Sequence, residues 1–151
     1  MPPSPQFHLA QLNLGRLVAP IDAPAIADFV AALDEVNALA EASPGFVWRM
    51  TGEANNATDI AVTDDPLLIA NMSVWQSAEW LHDFVYRSAH TPFLRRRREW
   101  FEHMELFMVL WWIPAGIVPT LDDALARLNG LRAHGPTPWA FTFRERFAFE
   151  A

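Results

Sequence analysis

The chain has 151 residues, a net charge of −7 and no cysteine, and 52% of it is apolar. That is the size of one domain with enough apolar surface to bury a core unaided. The composition excludes disulfides, thiolate metal sites and a cysteine nucleophile, and the acidic balance argues against a nucleic-acid partner. All eleven basic residues are arginine, which removes Schiff-base and lysine-nucleophile chemistry. Met1-Pro2-Pro3-Ser4-Pro5 lacks the basic region and apolar run of a signal peptide. The longest apolar run, Leu106 to Ile113, is too short to span a bilayer. A cytoplasmic protein with no membrane partner is expected.

Residues 1–6 are Pro-rich and read as a disordered N-terminal extension; 7–151 read as a single domain without repeats or linkers. Phe7 to Leu17 alternates as a strand. Ala25 to Ala42 carries Ile26, Phe29, Val30, Leu33, Val36 and Leu39 at helical spacing, and Ser43-Pro44-Gly45 stops that helix. Phe46 to Thr51 is a second strand, followed by a polar loop. Leu67 to Trp75 is a third, with Leu67, Ile69, Asn71, Ser73 and Trp75 on one face. Ser77 caps a helix that runs to about Ser88. Pro92 forces a break, with Thr91 as N-cap of a second helix that presents Phe93, Leu94, Trp100, Phe101 and Met104 on one face. Glu105 to Ile113 is a fourth strand, Thr120 to Ala133 a further helix, and Ala140 to Phe149 a last alternating strand.

The order is β-α-β-β-α-β followed by α-β, and its first six elements match the ferredoxin-like, split βαβ arrangement. The expected class is α+β: an antiparallel sheet with helices on one face. The other face must be covered as well, which predicts a partner sheet and hence a homodimer.

The run Asn71-Met72-Ser73-Val74-Trp75-Gln76-Ser77-Ala78-Glu79, with Phe84 and Ser88-Ala89-His90, resembles the third strand and following helix of the antibiotic biosynthesis monooxygenase superfamily. Its members are dimeric α/β barrels. The whole chain is similar to a bacterial family of unknown function within that superfamily. The landmarks are Gly45-Phe46-Val47-Trp48-Arg49, Phe84 to His90, Arg98-Glu99-Trp100-Phe101, Leu110 to Gly116 and Ala140-Phe141-Thr142-Phe143. The resemblance implies a dimeric α/β barrel and one of three uses: cofactor-free oxygenation of aromatic phenols, haem binding or degradation, or isomerase and cyclase chemistry. In the haem degraders the ligand His lies in the second half of the long helix, where this chain has arginines; His90 falls several residues too early.

Several residues are of the right type for chemistry. At a helix break His90 turns into a pocket, where a neutral imidazole acts as general base near pH 7, or it caps the first helix. Tyr86, the only tyrosine, stands one turn earlier; it donates to a ligand oxygen or lies on the surface. Arg97 falls in the middle of an apolar helix face, where a guanidinium binds a carboxylate or enolate oxygen, or snorkels out. Its neighbours read as solvated i,i+4 pairs, Arg95 with Glu99 and Arg98 with Glu102. Asn13 shares a strand face with Gln11, and Asn71 with Ser73; such groups orient a ligand or bond one another. Arg49 beside Trp48 stacks or pairs with a carboxylate. Trp75, Trp100, Trp111 and Trp112 serve the core or a pocket for flat ligands, and adjacent Trp111 and Trp112 must point to opposite sheet faces.

No metal-binding spacing, Gly-rich phosphate loop or nucleophile elbow occurs. The expected function is binding of a small aromatic or apolar molecule by a cofactor-free, monooxygenase-like enzyme. His90, Tyr86 and Asn13 are the catalytic candidates. Arg49, Trp48, Asn71, Trp75, Arg97, Trp100 and Trp112 are the binding candidates. A haem protein, a proton-transfer isomerase or cyclase, and a non-catalytic binding domain are the alternatives.

Overall fold

Alternation along one strand divides the molecule. Strand β1 (Phe7–Arg16) points Ala10, Leu12 and Leu14 to one side and Leu9, Gln11, Asn13 and Gly15 to the other. In the computed structural model, which describes residues 7–51, 60–88, 91–103 and 107–147 (without the side chains of 93 and 94), β1 pairs antiparallel on both edges. Its neighbours are β3 (Leu68–Trp75) and β4 (Met108–Pro114), and β2 (Phe46–Arg49) adds to the far edge of β3. The result is a four-stranded antiparallel sheet in the order β2-β3-β1-β4, the ferredoxin-like α+β arrangement expected.

Four helices lie over the Leu9–Gly15 face. Helix α1 (Ala27–Ala42) is led in by a 3-10 turn over Pro24–Ile26, where proline occupies the first position because no N–H is needed there. Helix α2 (Ala78–Arg87) starts as its sequence predicts: the Ser77 hydroxyl accepts the Trp80 N–H at 3.2 Å. Helices α3 (Thr91–Arg95) and α4 (Arg97–Trp100) follow the break expected before Pro92. Between α1 and β2, Gly45 adopts φ 84°, and the Trp80 ring occupies the space where a Cβ would stand. Both facts require glycine there.

The second face is filled from within the same chain. Helix α5 (Leu121–His134), capped by the Thr120 hydroxyl on the Asp123 N–H at 3.2 Å, buries Ala124, Leu128 and Leu131. They pack against Leu12, Met72 and Trp111. The partner sheet that the sequence called for is therefore not needed to cover this face, because α5 covers it.

Three further expectations change. The second helix of the α3–α4 region ends at Trp100 and does not continue to Met104. Phe101 turns extended because its backbone forms an antiparallel bridge with Leu17, flanked by bonds from the Val18 N–H to the Trp100 carbonyl and from the Glu102 N–H to the Arg16 carbonyl. The side-chain pairs shift with it. Arg96 bonds Glu99 and Asp28, and Arg16 takes Glu102 and Asp65, each at 2.7 Å. Arg16 holds the Asp65 carboxyl below the usual carboxylate range, helped by the Leu67 N–H. The C-terminal strand is reduced, within the described residues, to two isolated bridges, Leu110 with Phe141 and Thr137 with Ala140. Thr142 closes a turn there, its hydroxyl accepting the Glu145 N–H, and that turn leaves the ladder. The expected extension at residues 1–6 lies outside the described residues.

If α5 supplies the cover of the second face, Leu128→Ala will cost about 2–5 kcal/mol, the range for emptying a fully packed leucine site. Urea unfolding followed by tryptophan fluorescence measures this. A change near zero would mean that α5 does not pack on the sheet.

Candidate functional site

The face under α1–α4 is not filled by its own side chains. A cavity of about 250 Å³ remains between sheet and helices. Its floor is set by register. Gln11 lies opposite Ser73, Asn13 opposite Asn71 and Gly15 opposite Ile69, so four polar side chains stand together in an otherwise apolar layer. Gln11 is only 3% exposed and lies at their centre. Its amide nitrogen donates to Asn71 Oδ1 at 2.7 Å and to Ser73 Oγ at 2.8 Å; its oxygen accepts from Asn13 Nδ2 at 3.1 Å. The Trp75 indole N–H also donates to Ser73 Oγ, at 2.8 Å. In this arrangement the Asn71 amide nitrogen and Asn13 Oδ1 have no partner among the described residues, and both residues line the cavity.

The walls are aromatic. At one end Phe84 stacks on Trp75, with centroids 5.2 Å apart, while Phe46 meets Trp75 edge-on. At the other end Phe29 from α1 meets Trp100 and Phe101 at 5.6 and 5.1 Å. The Phe101 ring can sit there because Gly15 has no side chain: a Cβ on Gly15 would fall inside it. Leu33 and Val36 of α1 and Leu81 of α2 complete the roof. These are the apolar stripes that the helical periodicity predicts.

Two cations line the cavity and no carboxylate does, among the described residues. Arg49 is 9% exposed and paired with Glu41 of α1 at 2.9 Å, which ties β2 to the roof. Arg97 lies over the Phe107 and Phe101 rings at 4.3 and 5.1 Å, and its Nη2 donates to the Leu14 carbonyl at 3.3 Å. Burial there pulls its pKa below the ordinary guanidinium value.

Of the ten residues that the sequence singles out, Asn13, Arg49, Asn71, Trp75, Arg97 and Trp100 line the cavity, and Tyr86 joins them at 48% exposure, its ring against His82 and Phe143. Two of them stand elsewhere. Trp48 pairs with Val74 across a register shift in β2 and packs in the core on the α5 side, so adjacent Trp48 and Arg49 face opposite ways. Trp112 is on the cavity side of the sheet, yet the C-terminal segment covers it: its indole donates to the Phe147 carbonyl at 2.8 Å and Phe141 packs against its ring. His90 lies outside the described residues. The sequence underrated Gln11 and missed Gly15, Phe29 and Phe107; an isolated glycine inside a strand was the one local signal for a close approach.

A family match covers residues 8–151. The chain belongs to the family described as a domain of unknown function, DUF3291. No curated protein matches it closely enough to count as a relative. Among solved structures the DUF3291 chain is similar to a protein of unknown function from Nitrosomonas europaea, at 12% identity and a TM-score of 0.49, over 77% of this chain and 96% of that one. It is also similar to SnoaB, a cofactor-independent oxygenase from Streptomyces nogalater, at 13% identity and a TM-score of 0.47, over 74% and 95%.

No described histidine of this DUF3291 chain lines the cavity. No helix among the described residues is long and apolar enough to cross a membrane.

If Gln11 holds the amide ladder together, Gln11→Leu, which keeps the volume and removes the hydrogen bonds, will destabilise the protein by about 1–3 kcal/mol. Urea unfolding reads this directly; equal or greater stability would show that the ladder is dispensable to the fold.

Proposed function

We propose that the protein binds a small aromatic or apolar molecule between the sheet and its helices, and acts on it as a cofactor-free monooxygenase of the antibiotic biosynthesis monooxygenase-like superfamily. The observation that carries this reading is a pair of amide atoms without a partner among the described residues, the Asn71 nitrogen and Asn13 Oδ1, set in the floor of an aromatic-walled cavity. A few placed polar groups in an apolar concavity are the ordinary form of a small-molecule site. The sequence resemblance through Asn71–Glu79 supplies the superfamily, and with it the homodimer.

The chemistry asked of such a site is modest. A substrate C–H made acidic by an adjacent phenol or carbonyl loses its proton to a base, for which His90 is the candidate. The Asn71 amide and Tyr86 hydroxyl donate to the oxygen that gains charge. The carbanion gives its electrons to dioxygen, a C–O bond forms, and the resulting hydroperoxide loses water to leave C=O. One oxygen atom enters the product and the other leaves as water, with dioxygen as the sole oxidant.

Oxygen uptake with 1-naphthol and a tricyclic hydroxyanthrone tests the reading. Saturable uptake of one dioxygen per molecule oxidised is expected. Asn71→Ala is expected to lower the rate by about a hundredfold, the usual effect of losing one donor to a developing oxyanion. His90→Ala should lower it as well. Tryptophan quenching that shows tight binding without uptake above the buffer rate would remove the oxygenase step and leave a binding protein.

A further inference from the structure

We infer that the molecule this cavity takes is an anion, a planar aromatic or apolar monocarboxylate whose carboxylate meets Arg97; the inference rests on the small-molecule reading above. The chain carries 18 acidic residues against 11 basic ones, yet the charged side chains that line the cavity, among the described residues, are two arginines and no carboxylate. The arginines differ. Arg49 is matched by Glu41. The described carboxylates nearest in the chain to Arg97 are also committed, Glu99 to Arg96 and Glu102 to Arg16. Among the described residues Arg97 has only a long bond to the Leu14 carbonyl and the faces of two phenylalanines.

A guanidinium stacked on aromatic rings keeps its edge donors free, and it presents five N–H groups, of which this bond uses one. That edge suits a carboxylate, which accepts two parallel N–H bonds. The spacing adds a constraint. Arg97 reaches β1 at the Leu14 carbonyl, the next residue along the strand from Asn13 and its partner Asn71. A flat ring system bearing a carboxylate on Arg97 places its ring along the floor that carries these amides. The aromatic walls then take its faces.

Calorimetric titration of the wild-type protein with 2-naphthoate and with neutral, near-isosteric 2-naphthamide tests this without a variant. The carboxylate should bind about 10- to 100-fold more tightly, the range for hydrogen bonds to a charged group. Arg97→Met, which keeps the stem on the two rings, should abolish that preference, bringing naphthoate down to the affinity of the amide. Equal binding of the two probes by the wild-type protein would overturn the anion assignment and leave the pocket standing. Failure of both to bind would overturn the pocket reading together with it. A preference for naphthoate that persists in Arg97→Met would also overturn the assignment, since another cation would then be its source.

Discussion

A buried glutamine sets the terms for the cavity face of this sheet. Gln11 sits in the central strand, almost fully out of water, and a buried primary amide without partners costs on the order of several kcal/mol. It is satisfied only by residues on its own strand and on β3, Asn13, Asn71 and Ser73, and those positions coincide only in the observed antiparallel register. A slip of one residue would turn the polar set into the α5 core and the apolar set into the cavity. The same network that pins the register leaves Asn13 Oδ1 and the Asn71 amide nitrogen without a partner among the described residues, on the lining of the cavity. Fold and site therefore share one set of hydrogen bonds.

The two faces of the sheet do different work for a related reason. On the α5 side Leu12, Met72, Val109 and Trp111 are all but inaccessible, and the face is closed. On the other side α1 and α2 stand on aromatic supports at the two ends, around Trp75 and around Phe29 with Trp100, and the sheet between carries amides too short to fill the gap. Gly15 widens the floor further and lets Phe101 drop into it, so that Phe101 and Phe107 can carry Arg97. The cavity is what remains when bulky supports flank small polar side chains.

Much of this was legible from local patterns. Alternation in β1 and β3 put Gln11 with Asn13, and Asn71 with Ser73 and Trp75. Ser77 marked its helix through a side-chain cap, and Pro92 marked the break. What escaped depends on contacts between distant segments. Phe101 leaves its helix because Leu17, far away in sequence, offers backbone partners. The amphipathic stripe of α5 says that it packs on something, not on which face. The register shift ahead of Trp48 decides that Arg49, and not its neighbour, looks into the cavity. Trp112 has the right parity and is still covered, because Phe141 and Phe147 fold back over it. The weight on Gln11 came only with the cross-strand register, since its partners lie 60 and 62 residues away.

The central claim is that the space between the sheet and helices α1–α4 takes a flat organic molecule. The seven tryptophans provide a direct test. An indole ¹H–¹⁵N spectrum followed through a titration with 2-naphthol would place the ligand by ring-current shifts. The account predicts saturable shifts of the Trp75 and Trp100 signals, with Trp111 and Trp139, on the α5 side, unmoved. Shifts concentrated on Trp111 or Trp139, or none at any ligand concentration, would contradict it.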